Sequence, residues 1–249
     1  MLLKGEVAVV TGGASEHGIG RATARLFAEH GAYVAVLDID GQGAKEAAES
    51  LGSEHRGYRC DVAKKSEVET AFSQVAKELG SPTILFNNAG VTQPKGIAEI
   101  TEADYDRVLD VSLRGTFLCS KTVLHYMRRL GRGSIICMSS LSAKRGGGIF
   151  GGPHYCAAKA GILGLARAMA RELAPEGIRV NALAPGLIHT DITKGKMTAE
   201  QEADIVKSIP IGRIGQPIDV ARACLFFASS LSGYVTGEVM DVNGGMYID

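Results

Sequence analysis

The sequence has no tryptophan, no excess charge of either sign, and no apolar run long enough to cross a membrane. Its 27 Lys and Arg balance 27 Asp and Glu, so the formal net charge is zero. Nothing in that balance calls for nucleic acid or an anionic membrane as a partner. It also removes one barrier to self-association. Cysteines are few and odd in number: Cys60, Cys119, Cys137, Cys156 and Cys224, with no CxxC pair. A disulfide framework and a zinc site are therefore not expected, and a reducing compartment is. The six histidines show no metal-ligand spacing. The first ten residues lack the apolar core and cleavage site of a secretory signal. The cytoplasm is the expected location.

What is present is ordinary for a globular protein: 45% apolar and 22% charged residues over 249 positions. That length fits one large α/β unit or two small ones, and it can bury a core without staples. Short β-branched runs alternate with longer helical patterns. Strands are expected over residues 7–10, 33–37, 58–60, 83–86, 134–138, 179–184 and 238–242. Helices are expected over 21–30, 43–51, 66–79, 102–130 (interrupted only at Gly115), 154–173 and 216–227. Near-continuous apolar strands between helices indicate a parallel sheet covered on both faces. With no repeat and no linker, the chain reads as one doubly wound Rossmann-type α/β domain, 1–249, with about seven strands.

Thr11-Gly12-Gly13-Ala14-Ser15-Glu16-His17-Gly18-Ile19-Gly20 follows the first strand and opens the first helix. Glycines let the backbone turn tightly and approach a pyrophosphate, and the helix N-terminus offers free N–H groups to it. The same glycines also fit a purely structural strand-to-helix turn, but the context favours a dinucleotide. Asp38 ends the second strand, where a carboxylate accepts from the ribose hydroxyls of NAD. It would repel the additional phosphate of NADP. No Arg or Lys directly follows it to receive that phosphate, so NAD is the expected cofactor.

Tyr155-Cys156-Ala157-Ala158-Lys159 places a phenol and an ammonium on one helical face. A free phenol has a pKa near 10. A neighbouring cation is expected to lower it, so that the phenol exchanges a proton with an alcohol or carbonyl oxygen. The motif alone is weak evidence. It gains weight from following a strand that ends in Ser139-Ser140.

Taken in order, these signals resemble the short-chain dehydrogenase/reductase family over nearly the whole chain. They are the glycine turn, Asp61-Val62, Asn87-Asn88-Ala89-Gly90, Ser140, Tyr155 with Lys159, Pro185-Gly186 with Thr190, and Asn243-Gly244-Gly245. The resemblance implies a hydride transfer between a secondary alcohol or ketone and the nicotinamide. It implies that Gly12, Ser15, Gly18, Ile19 and Gly20 hold the pyrophosphate and that Asp61 and Val62 contact the adenine. Asn88, Ala89 and Gly90 would line the adenosine side. Ser140 would hold the substrate oxygen, Tyr155 would exchange the proton, and Lys159 would also bind the nicotinamide ribose. Pro185, Gly186, Ile188 and Thr190 would pack on the nicotinamide.

Three departures from the family pattern stand out. The glycine turn is two residues longer, with Glu16 and His17 expected to bulge outward. Ser112 stands where the family carries an asparagine of a water-linked proton relay, so only its backbone carbonyl is expected to serve there. The serine-to-tyrosine spacing is long: the strand end selects Ser140, whereas the family's spacing would select Ser142.

Substrate walls are expected from residues 91–98, 141–153 and 189–208, the last as a lid with Met197 and Ile205 as anchors. The lid's polar composition points to polyols, sugars or small hydroxy compounds. Lys95, Arg145 and His154 are candidates for greeting an anion, although exposed charges are usually only solvated. Family members form dimers or tetramers, which implies contacts through the helices near 102–130 and 154–173. Leu118, Leu165 and Met169 fit either such contacts or packing on the sheet. The favoured function is an NAD-dependent alcohol or polyol dehydrogenase. The alternatives are a 3-oxoacyl thioester reductase, of which family examples usually take NADPH, and a non-catalytic NAD-binding regulator.

Overall fold

The computed structural model describes residues 1–248; Asp249, the last residue of the expected 1–249 unit, lies outside the described residues. Seven strands form one sheet: β1 (Val7–Thr11), β2 (Tyr33–Asp38), β3 (Arg56–Arg59), β4 (Ile84–Asn87), β5 (Gly133–Met138), β6 (Ile178–Pro185) and β7 (Val239–Val242). All pairings are parallel, in the order β3-β2-β1-β4-β5-β6-β7. The order reverses between β1 and β4, which opens a crevice beyond the C-terminal strand ends.

The helices are α1 (Ile19–Glu29), α2 (Gly41–Glu49), α3 (Lys65–Glu78), α4 (Glu102–Leu109), α5 (Gly115–Leu130), α6 (Ser142–Arg145), α7 (Pro153–Leu173), α8 (Ala199–Lys207) and α9 (Pro217–Ala228). Strand side chains alternate between the two faces, as the pleat requires. Val7 and Val9 join a core with Phe72 of α3, Val123 of α5 and Ile162 of α7. Ala8 and Val10 join a second core with Phe27 of α1 and Phe227 of α9. Both faces are therefore dry, and β1 is buried along its whole length.

The expected helix over 102–130 divides differently. The break is a π turn at Asp110–Arg114, and Gly115 begins α5 rather than interrupting it. A side chain at Gly115 would meet Val62 Cγ2 at 2.7 Å, so the glycine lets this helix close on the loop after β3. β3 starts at Arg56, two residues before the expected strand, because its register is set by pairing with Ala35–Asp38 of β2. The sequence reading did not anticipate α6 or α8. Among the described residues, no helix is long and apolar enough to cross a membrane. No group of His, Cys, Asp and Glu there could hold a metal. The five cysteines are free.

Candidate active site

A cleft of about 570 Å³ opens at the β1/β4 switch point, a volume suited to a small-molecule ligand. Its first wall is the glycine turn. Gly12 has φ +69°, and a Cβ there would fall 2.8 Å from Ala89 Cα. Gly20 is tighter still, since a Cβ would lie 2.4 Å from the Gly12 carbonyl oxygen. Only glycine allows this approach. Asn88 then knits the turn to the end of β4, its side-chain amide donating to the carbonyls of Thr11 (3.0 Å) and Gly12 (2.8 Å). α1 begins at N-cap Gly18 with no side-chain cap and no acidic residue in its first turn. Its free N–H groups thus await an anion from elsewhere. The turn, the uncapped helix end and the cleft volume all fit a dinucleotide.

Asp38 lines the cleft at the end of β2, its carboxylate fixed by the backbone N–H groups of Ala14 (3.0 Å) and Asp40 (3.1 Å). Among the described residues it forms no salt bridge, so its charge remains available to a ligand. Asp61 and Val62 line the same end, with Asp61 paired to Lys64 at 3.5 Å.

The second wall is the end of β5 with α7. The Ser139 hydroxyl donates to the Lys159 carbonyl at 2.8 Å and ties the strand to the helix. Lys159 is buried, donates to the Met138 carbonyl at 2.8 Å, and lies 5.7 Å from the centre of the Tyr155 ring. Burial pulls the Lys159 pKa down to about 8. Burial also raises the Tyr155 pKa, opposed by its hydrogen bond with Ser140. This runs opposite to the expectation of a phenol acidified by its cation: desolvation is the largest cause, and it raises the phenol. The hydroxyl bonded to Tyr155 belongs to Ser140, which also accepts from the Ser142 N–H at 3.1 Å. Ser142 lines the cleft as well and opens α6.

Pro185, Gly186, Ile188 and Thr190 form the third wall. A Cβ at Gly186 would fall 2.9 Å from Asn243 Cβ, which accounts for the Pro-Gly and Asn-Gly-Gly motifs meeting here. Ser15, Gly18, Ile19, Ala89 and Gly90 complete the lining.

Two expected residues lie outside the cleft. Gly20 sits beneath the turn it permits. Ser112 is fully buried in the π turn, and its hydroxyl has no partner. Its carbonyl accepts from the Thr116 hydroxyl at 2.7 Å. A Cβ on Gly90 would lie 3.4 Å from both Ser112 Oγ and Lys159 Nζ, so these two atoms flank that glycine.

The substrate side is more apolar than its loop sequences suggest. Val91, Leu141, Ile149, Phe150, Ile192 and Ile205 face the cleft. Ile205 is an anchor as expected, but Met197 is not among the lining residues. Lys95 is engaged by Asp104 (2.7 Å) and His154 by Gln93 (3.0 Å); of the three expected anion-greeting groups, only Arg145 reaches the cleft. The sequence reading missed Asp191. Its carboxylate bonds to Ser15 and His17 across the cleft, and the lengthened turn was the available signal.

Residues 12–247 match the family model described as enoyl-(acyl carrier protein) reductase. The chain is 56% identical, over the full length of both, to an uncharacterised short-chain type dehydrogenase/reductase of Sinorhizobium fredii. Over the full length of both it is also 38% identical to the 3-oxoacyl-(acyl-carrier-protein) reductase of Vibrio cholerae and 39% identical to that of Thermotoga maritima.

Proposed function

The chain belongs to the short-chain dehydrogenase/reductase family, and from that premise we propose that this oxidoreductase interconverts a 3-oxoacyl and a 3-hydroxyacyl group carried as a thioester, with NAD(H) as its partner. The observation that carries the substrate class is the apolar wall beside Ser140 and Tyr155, which suits an acyl chain better than a polyol. The relatives that act on 3-oxoacyl groups support the same choice over the alcohol or polyol reading. Asp38 carries the cofactor choice: its unpaired carboxylate accepts ribose hydroxyls and opposes a phosphate there.

The nicotinamide supplies or accepts the hydride when bound. Ser140 donates a hydrogen bond to the substrate oxygen. Tyr155, held neutral by burial, gives that oxygen its proton in the reductive direction and recovers it in the oxidative one. The Lys159 ammonium stabilises the phenolate left behind and holds the nicotinamide ribose. Gly12, Ser15, Gly18 and Ile19 cradle the pyrophosphate, with Gly20 allowing the turn. Asp61 and Val62 bound the adenine, while Asn88, Ala89 and Gly90 bound the adenosine. Pro185, Gly186, Ile188 and Thr190 pack on the nicotinamide. Ser112 stands at the relay position, its hydroxyl flanking Gly90 together with Lys159 Nζ. The whole chain acts as one domain, with residues 189–208 as a lid over the cleft. It works as a homo-oligomer through the α4–α5 face.

The test is absorbance at 340 nm with acetoacetyl-CoA, supplied with NADH or NADPH, for the wild type and Tyr155→Phe. Oxidation of NADH by the wild type, lost by at least a hundredfold in the variant, supports the assignment. A second reading is favoured by Asp38 alone: oxidation of a free secondary alcohol by NAD⁺. Turnover of alcohols without turnover of the thioester would select it. Tight NADH binding without turnover of either class would instead point to a regulator.

A further inference from the structure

The glycine turn and the lid meet over the cleft through one carboxylate. Asp191 Oδ2 accepts from the Ser15 hydroxyl at 2.6 Å and from the His17 backbone N–H at 3.1 Å. Asp191 Oδ1 lies 3.0 Å from His17 Nδ1. His17, one of the two residues expected to bulge from the lengthened turn, supplies two of these three contacts. Asp191 itself does not line the cleft, whereas its neighbours Thr190 and Ile192 do, as does Ser15 opposite. The contact therefore joins two segments that both line the cleft. A single exposed ion pair stabilises little. Here three bonds converge on one carboxylate, one of them from the backbone, and all must break before the lid lifts away from the turn.

We infer that Asp191 is a positioning residue for the cofactor: it latches the lid to the lengthened glycine turn and sets the rate at which the nicotinamide dinucleotide leaves. The inference rests on the reading of the cleft as a nicotinamide site, but not on the identity of the substrate. Two measurements separate the two. Hydrogen exchange of the lid amides is followed in the ligand-free protein, and NADH release is followed by stopped-flow fluorescence. In Asp191→Ala the amides of residues 189–208 exchange faster, NADH leaves about three- to tenfold faster, and KM for NADH rises in proportion. Asp191→Asn keeps an acceptor for Ser15 and the His17 N–H, and gives a smaller change. His17→Ala removes only the ring contact and falls between Asp191→Asn and the wild type or beside Asp191→Asn. Equal lid exchange and equal NADH release in Asp191→Ala and wild type would overturn the latch, as would slower release. If the wild type binds no NADH, the nicotinamide reading fails, and lid exchange alone then decides the latch.

Discussion

Lys159 and Tyr155 set the chemistry through opposite responses to burial. Desolvation penalises whichever form is charged, so it lowers the ammonium's pKa to about 8 and raises the phenol's. At neutral pH the site thus holds a protonated donor beside a cation. Reduction needs both, because the phenol must give up its proton and the ammonium must stabilise the charge left behind. We expect kcat/KM for reduction to be level below pH 8 and to fall as pH rises through about 8, where Lys159 loses its charge. Oxidation must start from the phenolate, which burial disfavours and the Lys159 ammonium stabilises, so losing that charge should give oxidation no rise over the same range. A reductive profile flat from pH 6 to 10 would remove Lys159 from this role. Asp38 makes the second prediction at this scale. Its carboxylate is fixed by two backbone N–H groups and unpaired, so Asp38→Ala should shift the NADH-to-NADPH preference toward NADPH by at least tenfold, about 1.4 kcal/mol. The ratio of the two kcat/KM values reads this directly. An unchanged ratio would place cofactor choice elsewhere.

Elements explain why the strands were readable from sequence and parts of the site were not. β1 is buried on both faces, so Val7–Val10 are all apolar and announce themselves. Asp38, Tyr155 and Lys159 were legible because each sits at a strand end or a fixed helical spacing. The π turn left no such mark: Asp110–Arg114 carries an ordinary helical pattern. α6 is too short to leave a periodicity, and the sign of the Tyr155 shift depends on burial, which no motif encodes. Nor did the lid's sequence show which side chains face inward. The glycine turn supplies a sharp test. In Gly20→Ala the new methyl would sit 2.4 Å from the Gly12 carbonyl and 2.8 Å from Asn88 Nδ2, forcing the turn off β4. NADH affinity should fall at least tenfold, and stability by roughly 1–3 kcal/mol, as for overpacking generally. Ser112→Ala should behave in the opposite way. Its hydroxyl has no partner to lose, so Tm should hold or rise. A fall in kcat without a change in KM would then report chemical use of that hydroxyl, whereas a lower Tm would make it structural.

At the scale of the whole molecule, the question is which apolar surface the fold leaves uncovered. Leu118 and Met169, which fitted either a subunit contact or the sheet, pack against the core. Leu113 from the π turn does the same inside the molecule, lying against Gly161 of α7. What stays outside on α4 and α5 is Tyr105, Phe117 and, at the end of α5, Leu130, 45%, 43% and 44% exposed. Large aromatic rings left in water at a helical face are the anchors that subunit interfaces use. The zero formal net charge offers no long-range repulsion against bringing two copies together. Lys121 reaches over the Phe117 ring at 5.8 Å, close enough to shield it partly but not to bury it. We therefore expect the wild type to sediment as an oligomer at micromolar concentration and Phe117→Glu to sediment as a smaller species. Because Phe117 contributes nothing to either core, the variant's far-UV circular dichroism should match the wild type's, separating loss of assembly from loss of folding. An oligomer unmoved by Phe117→Glu would shift the interface to another face, and a monomeric wild type would show that the cleft is complete in a single chain.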